Sequence, residues 1–181
     1  MITQKQNLIF QSYFSIVLMA ELTNHNFLNS DYFRSMQFGS PEIKESLKSI
    51  KIDNQGNLLI TLYAMLVIPK QLIEDEFKNE YSTINDFLRL NTNNTKTTYA
   101  SDISSINYLR HIRNAVAHSQ VSFEPNNFVE FSDKSYNKNT KKEEQFSTRL
   151  QLVKVGQFIE QLQKIHIAYI HKLQLTTPSE L

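Results

Sequence analysis

Cysteine is absent from all 181 residues, which excludes disulfides, thiol nucleophiles and thiolate metal sites. Glycine is scarce: Gly39, Gly56 and Gly156 are too few and too scattered to build a glycine-rich phosphate loop. An excess of charge is also missing. The formal net charge is +1, so no global basic field attracts nucleic acid. Any such site has to be a local patch, or one made by bringing two copies together. The longest apolar run, residues 58–68, is interrupted by Thr61 and Tyr63 and closed by Pro69. It is about half the ~20 residues needed to cross a bilayer and reads as a buried helix. The first residues lack the basic stretch and apolar segment of an export signal. The expectation is a cytoplasmic chain with no membrane contact and no cofactor.

What is present is helical periodicity. Residues 4–21 carry Ile9, Tyr13, Ile16, Val17 and Ala20 at the spacing of one helix face. Residues 23–40 read as a loop with aromatic anchors. Pro41 suits the first turn of a short helix, 41–51, with Ser40 as its cap. Asp53 to Gly56 signal a turn. The apolar run from residue 57 then predicts a central helix that kinks at Pro69 and continues over 70–79. A further helix is expected from Ser82 to near Asn91. The stretch 91–99, rich in Asn and Thr, reads as a polar loop.

A helix capped by Ser101 or Asp102 should then run to about His118. Its core stripe is Ile106, Leu109, Ile112 and Val116. After Ser119 the pattern alternates and turns like a β-hairpin through residue 132. Residues 133–144 read as a charged loop, and 146–150 as a third short strand. From Gln151 the chain is helical again, with Val155, Phe158, Ile159, Leu162, Ile165, Tyr169, Ile170 and Leu173 on one stripe. Residues 176–181 should fray. The sum is a single, mainly α domain over 1–181: a helical bundle with a small β-hairpin or three-strand appendage at about 121–150.

One segment points to a chemistry, the run from Tyr108 to Ser119 that contains Arg113, Asn114 and His118. Arginine grips phosphate through paired hydrogen bonds. Histidine moves a proton near neutral pH. Together they suffice to cleave RNA without a metal: one group takes the proton of a ribose 2′-OH, another protonates the leaving 5′-oxygen, and a cation steadies the phosphorane. On an ideal helix, however, residues five apart lie ~140° from each other in azimuth. Arg113 and His118 converge only if the helix ends near His118, if the arginine reaches around, or if two copies of the chain meet. The plainer alternative is a basic pair that complements the carbonyl end of a helix.

That run resembles the signature of the HEPN superfamily, Arg followed after four to six residues by His, with a polar residue directly after the Arg. Arg113, Asn114 and His118 match each element. The hairpin and terminal helix that follow resemble a bacterial and plasmid-borne branch of that superfamily. The resemblance covers roughly residues 103–173. It implies a helical homodimer whose motifs face each other in one composite site. It also implies metal-independent endoribonuclease activity leaving 2′,3′-cyclic phosphate ends, in defence or toxin–antitoxin systems with a possible antitoxin partner. Some members are inactive dimerisation or nucleotide-binding modules, and that is the alternative reading. On this footing Arg113, His118 and Asn114 are the expected catalytic residues, with Arg110 and His111 expected to contact RNA.

Other residues invite weaker readings. His111 and Arg110 are equally plausible as solvated surface groups. His166 and His171 stand five apart with no carboxylate cluster, so no metal site is expected. Glu74, Asp75 and Glu76 read as a solvated face, and residues 138–142 as an exposed basic loop. Tyr99 and Tyr108 could stack on bases, though half-buried roles are commoner for such rings.

Overall fold

The computed structural model describes residues 2–176. Its helices are α1 (Gln4–Asn24), α2 (Asp31–Ser35), α3 (Pro41–Ile50), α4 (Gln55–Leu62), α5 (Lys70–Ile73), α6 (Lys78–Asn91), α7 (Tyr108–Ala117) and α8 (Leu152–Thr176). Four strands, β1 (Asn93–Thr97), β2 (Val121–Glu124), β3 (Phe128–Asn137) and β4 (Lys142–Gln151), form one antiparallel sheet in the order β1-β4-β3-β2. The class is as expected, mainly α with a small β-appendage. The expected fraying of 176–181 falls, from residue 177 onward, outside the described residues.

The apolar stripes bury as their spacing dictates. Ile9, Tyr13 and Ile16 of α1, Leu109, Ile112 and Val116 of α7, and Val155, Phe158, Leu162, Ile165, Tyr169 and Ile170 of α8 share one core with the inner face of the sheet. Alternation along β3 and β4 sends Val129, Phe131 and Asp133 inward opposite Leu150, Thr148 and Phe146.

Local chemistry accounts for the departures from expectation. The stretch 23–40 is not all loop: the Ser30 hydroxyl accepts from the Phe33 amide (3.1 Å) and starts α2, which inserts Phe33 into its surroundings. Ser40 and Pro41 open α3 as expected, although the Ser40 side chain makes no capping bond to the backbone. α6 begins at Lys78 rather than Ser82, and Tyr81 of its first turn is buried. The polar stretch 91–99 contains β1. Its Thr95 and Thr97 alternate with exposed residues, and the Thr95 hydroxyl meets that of Thr148 at 2.7 Å. A polar sequence makes a strand here because β4 satisfies its backbone and its hydroxyls pair across the sheet. A register shift between Asn93 and Lys96, with Asn94 at φ 53°, bends this outer strand. The expected charged loop 133–144 shrinks to a turn, because β3 continues to Asn137 and β4 starts at Lys142.

Pro69 breaks the central helix, with a specific consequence. A proline has no N–H, so the Met65 carbonyl four residues earlier loses its helical donor. The turn over Tyr63–Val67 widens to a π-helix, with the Ile68 amide reaching back to the Tyr63 carbonyl (3.3 Å). His166 of α8 takes the missing role: its Nε2 donates to the Met65 carbonyl at 3.1 Å. The ring is 1% exposed and its Nδ1 has no partner. Burial, only weakly opposed by that hydrogen bond, pulls its pKa from 6.5 to about 4.

The folded chain therefore refuses a proton that the unfolded chain accepts below pH 6.5, and stability falls as pH drops from 6.5 through about 4. At roughly 1.4 kcal/mol per unit the loss approaches ~3 kcal/mol. Urea unfolding of wild type and His166→Gln at pH 7 and pH 4 checks this. The variant, which keeps an amide donor, should show a smaller difference between the two pH values by about that amount. Equal differences would refute the assignment.

Candidate functional site

α7 carries the motif, and both of its ends are fixed by side chains or turns. At its start the Asn107 Oδ1 accepts from the Arg110 amide (2.9 Å), and the Asn85 Oδ1 of α6 accepts from the Leu109 amide (3.1 Å). Asp102, expected as a cap, lies in a separate 3₁₀ turn, Ala100–Asp102, and its carboxylate is used elsewhere. At the other end His118 is the capping residue. Ser119 adopts a left-handed conformation (φ 55°) and donates to the Val116 carbonyl (3.2 Å), while the Gln120 amide donates to the Ala115 carbonyl (2.8 Å). This is a Schellman turn with serine where glycine is usual. The helix thus stops at the motif histidine and leaves its side chain exposed.

The five expected site residues fall into three groups. The first is a buried clasp. His111 is 0% exposed and lies flat on Phe146 (4.2 Å, 11°). Its Nδ1 is 2.7 Å from Asp133 Oδ2 and its Nε2 2.9 Å from Asp102 Oδ2. The sheet register explains the convergence: Asp133 and Phe146 are cross-strand partners, so both project at the same point of α7. Arg110 is one-third exposed. Its Nη2 reaches Asp102 Oδ1 (3.0 Å) and Ser101 Oγ (2.9 Å), and its guanidinium lies over Tyr99 (5.6 Å). The Thr97 hydroxyl donates to Asp102 Oδ2 (2.6 Å). His111 is therefore neither a solvated surface group nor a cleft wall but an anchor between helix and sheet. Of the two expected RNA-contacting residues, only Arg110 has solvent access.

The second group is Asn114 and His118, one turn apart on the sheet side of α7. The Asn114 Nδ2 donates to Asp133 Oδ2 at 3.1 Å, so the clasp also orients the polar residue of the motif. The third is Arg113, which faces away from both. It is 7% exposed, and its Nη1 donates to Glu74 Oε2 at 2.6 Å, while its Nε is buried without a partner. Burial first and Glu74 second push the pKa of the neighbouring Tyr81 phenol up, with Arg113 opposing. One chain therefore does not bring Arg113 and His118 together, in keeping with the ~140° between positions five apart.

The aspartates and the glutamate that hold the motif were not expected in that role. Asp133 could have been found: it continues the inward alternation of Val129 and Phe131. Asp102 and Glu74 carry no such signal. Among the described residues no cluster of His, Asp and Glu could hold a metal ion, and His171 is exposed while His166 is buried. No helix of the described residues is long and apolar enough to cross a membrane.

A mainly helical chain with a small four-stranded antiparallel sheet, matched over most of its length by a HEPN family model, is a HEPN-type domain. More particularly, the chain belongs to the family described as HEPN pEK499 p136, whose model matches residues 1–173. No curated protein and no solved structure matches it.

Two outcomes test the local construction. Removing the His111 ring leaves two buried carboxylates short of a partner, which typically costs ~3–5 kcal/mol, so His111→Ala should lower the free energy of urea unfolding by that order, and Asp133→Asn by less. Ser119→Gly should raise it by about 1 kcal/mol, because glycine adopts the left-handed turn without strain. A neutral result for His111→Ala would show that the clasp holds nothing.

Proposed function

We infer that the chain is a metal-independent endoribonuclease that acts as a homodimer, in bacterial defence or toxin–antitoxin systems. The observation that carries this reading is the Schellman turn after the motif. It ends α7 at His118 and presents the imidazole to solvent at a rigid point, one turn beyond an Asn114 already oriented by Asp133. A proton-transfer group needs that combination of access and fixed position. His118 takes the ribose 2′-OH proton or protonates the leaving oxygen. Arg113, freed from Glu74, stabilises the charge on the phosphate oxygens; its partnerless Nε supplies donor capacity that Glu74 leaves unused. Arg110, one-third exposed, adds a cation for the RNA backbone. Since Arg113 and His118 point apart within one chain, the working pair draws Arg113 from one copy and His118 from the other.

One observation favours a second reading, a non-catalytic dimerisation or partner-binding module. Arg113 is almost wholly buried and already ion-paired. In that reading the arginine ties α7 to the residue after α5 and has no further task.

The purified chain incubated with total RNA in EDTA separates the two. Wild type should cut, and His118→Ala should slow cutting by roughly 10²- to 10⁴-fold. Mixing Arg113→Ala with His118→Ala should restore activity, since a mixed dimer assembles one intact pair. Intact RNA in every lane, from folded protein, would favour the binding module; equal cutting by wild type and His118→Ala would remove the histidine from the mechanism.

A further inference from the structure

A cleft of about 390 Å³ opens where the start of α4, the β2–β3 hairpin and the first turns of α8 meet. Its volume lies at the small end of ligand pockets, ~300–1,000 Å³. The proposed chemistry does not use it. Phe123 and Phe128, at the end of β2 and the start of β3, supply aromatic surface, and Leu58 and Ile159 supply the rest of an apolar wall. We propose that this cleft holds one unpaired nucleobase bearing an exocyclic amino group, and so fixes which phosphodiester lies at His118. The proposal rests on the reading of the chain as an RNA-cleaving enzyme.

Gly156 is the first support. It sits in the second turn of α8, inside a helix, where glycine is disfavoured relative to alanine. Close packing does not require it, since a Cβ built there meets nothing within 4 Å. The missing side chain keeps the α8 wall of the cleft low, so that a flat ligand reaches the backbone.

Charge is the second. The lining contains the carboxylates of Asp53 and Glu124 and neither lysine nor arginine. Glu124 is paired with Arg149 (3.0 Å), whereas no ion pair engages Asp53 among the described residues. A phosphate is repelled from such a wall, while an amino group or ring N–H finds an acceptor. The Asn54 amide is already occupied, accepting from the Asn57 amide and donating to the Lys51 carbonyl. The Asn57 side chain remains to read a base edge. Adenine, cytosine and guanine carry an exocyclic amine; uracil does not. A neighbouring depression that shares Asp53 is lined by Lys48 and Lys51, cations that would suit the phosphates flanking a seated base.

Connection to the motif is the third. β2 begins three residues after His118, and Phe123 follows that histidine by five positions. Five residues of extended chain span at most ~17 Å. A base stacked on Phe123 therefore holds a nearby phosphodiester within a few nucleotides of the imidazole.

The test uses the full chain and 2′-O-methyl hexamers of adenine, cytosine and uracil, which the 2′-OH chemistry cannot cut. Adenine and cytosine hexamers should bind at least tenfold more tightly than uracil. Gly156→Leu, which fills the cleft, should remove that difference and the base preference of mapped cut sites. The exposed Asp53→Asn should weaken the discrimination without filling the cleft, and Gly156→Ala serves as a folding control. Equal binding of the three hexamers, or unchanged discrimination in Gly156→Leu, overturns the proposal. The two readings fail separately: His118-dependent cutting without base discrimination removes only the cleft proposal. Discrimination without cutting of any RNA removes only the nuclease reading.

Discussion

The junction of α7 with the sheet hangs on an imidazole held between two buried carboxylates. His111 joins Asp102, from the turn after β1, to Asp133 on β3, and it lies flat on Phe146 of β4. Removing three ionisable groups from water is costly, and the arrangement persists because the lone pairs and protons find partners: Thr97 and Arg110 serve Asp102, and Asn114 serves Asp133. Four separate pieces of chain are thereby locked to one turn of α7. Asn114 inherits its orientation from that lock, since it is bound to the same carboxylate oxygen as His111.

The two halves of the motif are held in opposite ways. On the sheet side, Asn114 is oriented while His118 is left open to solvent. On the bundle side, Arg113 is closed against Glu74. A single polypeptide thus displays the histidine and conceals the arginine. The Glu74 carboxylate that closes it is itself about one-third exposed.

Much of this was legible in the chain, for identifiable reasons. Helical stripes of α1, α7 and α8 bury as spaced, because a period of 3.6 admits only one face toward a core. The helix end at His118 followed from the change of period after Ser119. The failures share one cause. Asp102, Asp133 and Glu74 are charged, and a charged residue read alone belongs on the surface; its role here depends on partners such as His111, 22 positions from Asp133, or Arg113, 39 from Glu74. β1 was missed for a related reason, because its Asn and Thr residues make a strand only once β4 lies beside them. The bend at Pro69 was foreseen, but the histidine that repairs it was not, since His166 lies 101 positions from the Met65 carbonyl it meets.

The outermost strands of the sheet carry a last consequence. A row of unsatisfied amides and carbonyls is an invitation to strand addition and, in time, to fibrils. Here one margin is polar, carries a lysine and is kinked by Asn94, and the other is four residues long and stopped by Pro125. Neither offers a straight template on which a neighbour could crystallise its backbone. Both margins of the sheet are thereby guarded against strand addition, by composition on one side and by length on the other.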